Sequence, residues 1–218
     1  MPENSELCKT CWLEKQFNTV KLKMRTANFP KEFHTILFDN YEYEKINWEY
    51  LEKNTEGEFE KMLENLMNTL SDEYKMILLL GYHGTGKTML ASWLASGIVW
   101  RGYKVHYTKQ AAFNLRIRGS YAPDSDETEK QIYEKIMIPD LLVLDEIGSY
   151  TAGTDAERRY LQTLITLRHD LRKSMILVSN LDLKQFGEYC GSWVKDRLKE
   201  NHVSILNFSG QSYRGTKP

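Results

Sequence analysis

From Tyr74 onward the chain alternates short apolar runs with stretches of helical periodicity. Met76-Ile77-Leu78-Leu79-Leu80 is unbroken apolar and closes at Gly81, the pattern of a strand buried on both faces. Lys87 to Trp100 reads as a helix ended by Gly102, Lys104 to Thr108 as a second strand, and Ala111 to Arg118 as a second helix. Thr128 to Met137 is helical before Pro139, Leu141 to Leu144 is a third buried strand, Asp155 to Leu171 a long helix, and Met175 to Val178 a fourth strand. A helix through Trp193 and Leu198, a strand at Val203 to Phe208 and a polar tail follow. Strands alternating with helices predict an α/β fold, a parallel sheet flanked by helices.

The first 70 residues differ. Lys21, Lys23, Arg25 and Lys31 form a basic run with no acid between Asn18 and Lys31, whereas Asp39 to Glu60 holds eight acids against Lys45 and Lys53. Phe33 to Phe38 reads as a short strand or an extended arm. Apolar residues at Phe59, Met62, Leu63, Leu66, Met67 and Leu70 predict an amphipathic helix. The expected organisation is an extension and linker over residues 1–70 and one nucleotide-binding domain over 71–218.

Composition narrows the class. In 218 residues, 29 Lys and Arg balance 30 Asp and Glu for a net charge of −1, so a nucleic-acid footprint has to come from local patches. The start carries acids and no apolar segment, unlike a signal peptide. No apolar stretch approaches the roughly 20 residues of a membrane span. Three cysteines are no disulfide framework. A soluble cytoplasmic protein is expected.

The chemistry starts at Gly81-Tyr82-His83-Gly84-Thr85-Gly86-Lys87-Thr88, a full match to the Walker A pattern between a predicted strand and a predicted helix. The glycines turn the backbone so that successive N–H groups face a phosphate, and the helix adds its positive end. Lys87 is placed to reach the β- and γ-phosphates and Thr88 to coordinate Mg²⁺. At the end of the third strand, Asp145 is placed to hold the same ion and Glu146 to polarise a water against the γ-phosphate. Asn180, closing the fourth strand, suits orienting that water or sensing the γ-phosphate. ATP is expected over GTP, because no guanine-reading Asn-Lys-x-Asp sequence occurs.

These pieces resemble AAA+ ATPases of the additional-strand type, and among them the DnaC/DnaI-type replicative helicase loaders and the related IstB transposition helpers. The resemblance runs from about Phe33 to Arg214. It is carried by Phe38-Asp39-Asn40-Tyr41, Gly81 to Thr88, Leu142-Val143-Leu144-Asp145-Glu146-Ile147-Gly148, Leu167-Arg168-His169, Ile176-Leu177-Val178-Ser179-Asn180-Leu181, Asp196-Arg197-Leu198 and Ser212-Tyr213-Arg214. It implies a homo-oligomer with ATP at subunit interfaces, Arg197 acting as a finger on the neighbouring subunit's ATP, and Phe38 to Tyr41 near the adenine. For Arg214 it leaves open a phosphate contact or a pairing with an acid. It also implies that residues 1–70 bind a replicative DNA helicase, which the protein delivers onto single-stranded DNA with hydrolysis as a switch. Thirty-eight residues follow Asn180, too few for a full C-terminal helical lid, and the amino-terminal extension is short. A transposition helper shares the same core motifs. A small-molecule kinase is a third reading, without the acceptor pocket and arginine-rich lid such enzymes need.

Between Trp100 and Tyr121 stand Arg101, Lys104, Lys109, Arg116 and Arg118 with no acid, interleaved with Phe113 and Tyr121. Cations for the backbone and aromatics for base stacking are what single-stranded DNA requires. In the resembled family this helix and the loop after Walker B face a central channel, to which Tyr150, Arg158, Arg159 and Tyr160 would belong. The other reading is a solvated helix face with Phe113 in the core. Cys8-x-x-Cys11 looks like half a zinc site, which His34 alone does not complete; two reduced thiols are the alternative.

Overall fold

The computed structural model describes residues 9–34, 49–50, 73–149, 154–209 and 212. The helix expected over residues 57–70, the arm at 38–41, Cys8, Tyr150 and Arg214 lie outside them.

Five parallel strands form the sheet: β2 (Met76–Gly81), β3 (Val105–Lys109), β4 (Leu141–Ile147), β5 (Ser174–Ser179) and β6 (Val203–Phe208). The short β1 (Glu49–Tyr50) pairs antiparallel with β6 at one edge, and the order is β1-β6-β2-β5-β4-β3. β5 is thus inserted between β2 and β4. Both faces are covered, which is why the strands read as unbroken apolar runs. Ile77 and Leu79 of β2 face one helical layer, and Met76, Leu78 and Leu80 face the other.

The first layer is α1 (Lys9–Thr26) and α2 (Lys87–Trp100); the second is α3 (Gln110–Gly119), α4 (Glu129–Met137), α5 (Asp155–Asp170), α6 (Leu183–Cys190) and α7 (Ser192–Arg197). Reciprocal side-chain caps start α4 (Thr128 with Gln131), α5 (Thr154 with Glu157) and α6 (Asp182 with Gln185).

Lys21, Lys23 and Arg25 of the basic run lie on α1. Its spacing Phe17, Val20, Met24 is helical, and it lays that face on α2, with the Phe17 ring 5.4 Å from Trp100. Val20, Met24, Ala27 and Phe29 are buried in one cluster with Ile77, Leu79 and Trp93, and the Tyr107 N–H of β3 donates to the Ala27 carbonyl at 2.7 Å. Residues 17–29 thus contribute to the sheet's core. Phe33 is not in a strand: Lys31–Phe33 is one 3₁₀ turn, and His34 donates through Nε2 to the Phe29 carbonyl at 2.7 Å.

Candidate functional site

β2 runs into the phosphate loop at Gly81, whose φ is +117°. A Cβ there would stand 2.1 Å from the Phe208 carbonyl oxygen of the paired β6, so a side chain would force the two strands apart. At the other end Gly86, φ +93°, is the N-cap of α2 and aims the helix's first N–H groups into the loop. Between them, the Thr85 hydroxyl donates to the Tyr82 carbonyl at 2.8 Å. Lys87, only 5% exposed, donates to the carbonyls of Gly81 (2.7 Å) and Tyr82. The cation thereby ties both ends of the turn. Tyr82 is 69% exposed, so its backbone rather than its ring belongs to the loop. Backbone is likewise what His83 and Gly84 offer a phosphate.

Asp145 lies near the C-terminal end of β4 and is 3% exposed. Its Oδ2 accepts from the Thr88 hydroxyl at 3.0 Å and from the Tyr107 hydroxyl at 2.7 Å, and its Oδ1 from the Glu146 N–H at 2.7 Å. Burial, and then the Asp145 carboxylate, push Tyr107 well above the usual tyrosine range, so it stays a donor. Thr88 and Asp145 are hard oxygen donors on facing elements beside the phosphate loop, a set that fits Mg²⁺.

Glu146 sits at φ +56°, in the left-handed region, where the β4–β5 register shifts between Leu144 and Ile147. The extra residue swings its carboxylate out of the sheet's alternation. There it meets Lys109, whose Nζ donates to Oε1 at 2.8 Å. That hydrogen bond, the largest influence on the amine, raises the Lys109 pKa. Lys109, read from sequence as a DNA contact, is therefore a partner of Glu146. The neighbouring Gln110, not singled out in the sequence, accepts the Gly148 N–H at 2.9 Å and donates to the Tyr189 hydroxyl at 2.8 Å, pinning the turn after Glu146.

Asn180 follows β5 directly, between the two motifs. Ser179 Oγ donates to the Ile147 carbonyl at 2.7 Å and accepts the Leu181 N–H, while the Gly81 N–H donates to the Leu181 carbonyl. The Asn180 backbone is thus held to both β2 and β4. Arg197, the last residue of α7, stacks over Trp193 at 4.7 Å and donates to Glu200 Oε1 at 3.1 Å.

The other expected DNA contacts divide. Phe113 is 2% exposed and packs edge-on against Tyr133, so its ring does not reach a base; this corrects the stacking role. Arg116 holds Glu127 through two hydrogen bonds of 2.6 and 2.7 Å, and with Lys135 keeps that carboxyl down at about 2. Arg158 lies over the Tyr189 ring at 5.5 Å. Arg118, 3.9 Å from Glu157, and Arg159 are exposed.

A lysine-bearing phosphate loop after one strand, paired acids ending another, and an asparagine ending the strand between them define a P-loop NTPase of the additional-strand, AAA+ class. The family model of IstB-like ATP binding proteins matches residues 11–217, and the chain belongs to that family. It is 27% identical over 177 residues to the replicative helicase loader DnaC of Buchnera aphidicola subsp. Acyrthosiphon pisum, covering 81% of this chain and 68% of that one. It is 32% identical over 159 residues, 71% of this chain and 61% of the other, to an ATP-binding protein of insertion sequence IS5376 from Geobacillus stearothermophilus. In fold it is similar to the crystal structures of a DnaC helicase loader (TM-score 0.63, 19% identity, 82% of this chain and 100% of that one) and of DnaI (0.61, 15%, 85% and 94%). Among the described residues no helix is long and apolar enough to cross a membrane.

Proposed function

We propose that the protein hydrolyses ATP with Mg²⁺ and uses the cycle to deliver a replicative DNA helicase onto single-stranded DNA. The observation that carries the reading is the Thr88–Asp145–Glu146 cluster facing the Lys87 loop, in a chain similar to helicase loaders over most of its length.

The loop N–H groups and Lys87 bind the phosphates, and Thr88 with Asp145 would hold Mg²⁺, which would supply positive charge against the phosphates. Glu146 polarises the attacking water and Asn180 orients it. Arg197 of one subunit completes the site of the next, where a guanidinium neutralises charge developing on the γ-phosphate. Arg118, Arg158 and Arg159 contact the DNA backbone, and the exposed basic side of α1, with Lys15, Lys21 and Lys23, contacts the helicase.

The Lys109 ion pair occupies an oxygen that Glu146 needs for water. Lys109→Met is expected to raise basal kcat up to about five-fold, the equivalent of a pair worth ~0.2–1 kcal/mol. KM for ATP and DNA affinity should stay unchanged in the same steady-state and anisotropy assays. A selective loss of DNA affinity would return Lys109 to the DNA surface.

The loading reaction is tested by strand unwinding. The helicase is offered single-stranded DNA coated with binding protein and carrying an annealed labelled oligonucleotide, and displacement of that oligonucleotide is followed with and without this chain. Unwinding should depend on the wild-type protein and on ATP. The family match favours a second reading, a transposition helper. If double-stranded rather than single-stranded DNA stimulates ATP turnover and no helicase is loaded, that reading replaces the first.

A further inference from the structure

A second cluster of ligand-type side chains lies away from the phosphate loop, where the last turn of α5 meets the turn into β6. His169 Nε2 and His202 Nε2 each stand 3.4 Å from the same oxygen, Glu200 Oε2, and all three atoms lie within 4.8 Å of one another. We propose that His169, Glu200 and His202 form a binding site for a zinc-class divalent ion.

Four observations support it. A tetrahedral ion with ligands at about 2.0–2.1 Å separates neighbouring ligand atoms by about 3.3 Å, which both histidine–glutamate distances already meet. His202 Nε2 is buried without a hydrogen-bond partner, an orphan that a metal would satisfy. The other ring nitrogen of His169 faces the Asp170 carboxylate at 3.3 Å, the outer partner that orients metal-binding imidazoles. Finally, neighbouring side chains and backbone pack around the cluster. Tyr74 packs on both histidine rings, Trp193 meets His169 edge-on at 5.7 Å, and the Val203 N–H donates to the Glu200 carbonyl at 3.1 Å, closing the turn that brings Glu200 to His202.

Two imidazoles and one carboxylate select Zn²⁺ over Mg²⁺ or Ca²⁺, which prefer all-oxygen shells. Three protein ligands leave a fourth position for solvent. The ion would also reach the neighbouring arginine, because Glu200 gives Oε2 to the histidines and Oε1 to Arg197.

The test uses the full chain, stripped with chelator, dialysed, and titrated with ZnCl₂ in the absence of nucleotide. Wild type should hold one zinc equivalent that His202→Phe loses and the Cys8→Ser/Cys11→Ser double variant keeps. Its Tm should rise by roughly 5–10 °C at hundred-fold saturation, with no rise in His202→Phe. Since His202 Nε2 makes no hydrogen bond, His202→Phe should match the zinc-free wild type in Tm. The Co²⁺ spectrum of wild type gives a second measurement that needs no variant: visible d–d bands without thiolate charge transfer support the site. The proposal is overturned if zinc fails to bind, if His202→Phe binds as much as wild type, or if the cobalt bands carry thiolate character alone.

Discussion

Glu146→Gln is expected to lower kcat for ATP hydrolysis by about 10²–10⁴-fold while KM for ATP changes little. The side chain is set up by its backbone. An extra residue in β4 places Glu146 at φ +56°, a conformation that costs about 1–3 kcal/mol and is kept because the strands on either side over-determine it. The Glu146 N–H is fixed by Asp145 Oδ1 at 2.7 Å, so the two acids diverge from one point, Asp145 toward Thr88 and Glu146 toward Lys109. Glutamine preserves that geometry and removes the charge that polarises water. Binding should survive because the proposed phosphate contacts are made by the loop and Lys87. Steady-state kinetics together with fluorescent-nucleotide binding check both halves. A variant retaining more than a tenth of wild-type kcat would remove Glu146 from the water-activating role.

Arg168→Ala is expected to destabilise the fold by about 3–5 kcal/mol. Arg168 is fully buried, and its guanidinium donates to the carbonyls of Ile136, Pro139, Asp140 and Ser174 at 2.7–3.2 Å. It therefore satisfies the end of α4, the link into β4 and the start of β5 together. Burial brings its pKa down to about 10, leaving it charged at neutral pH. Alanine would strand four carbonyls and leave a cavity. Arg168→Lys should recover only part, since one ammonium cannot cover a forked set of acceptors. Urea unfolding measures both, and a loss under 1 kcal/mol for Arg168→Ala would contradict the account.

The two motifs were legible because their chemistry is local. Gly81 to Thr88 and Asp145-Glu146 each occupy one turn, and the strands before them announce themselves by double-sided burial. What was not legible depends on contacts between segments. Tyr107 reaches Asp145 only because β3 lies beside β4, and nothing in its neighbourhood along the chain indicates that. Lys109 looked like one cation in a basic run until the bulge at Glu146 brought a carboxylate to it. Phe113 sat among arginines in the sequence, yet helical spacing with Ile117 turns it inward. α1 did carry a signal, the Phe17–Val20–Met24 period, hidden beneath a conspicuous run of lysines.

Arg197 decides the central claim that the ATP site is completed between subunits. Arg197→Ala and Glu146→Gln proteins, each nearly inactive alone, should regain turnover when mixed, because one class of mixed interface pairs an intact Glu146 with an intact Arg197. Measured at concentrations where wild-type activity per protein has stopped rising, recovery of a substantial fraction of wild-type turnover is the predicted result. A mixture no more active than its components would contradict a site shared between subunits.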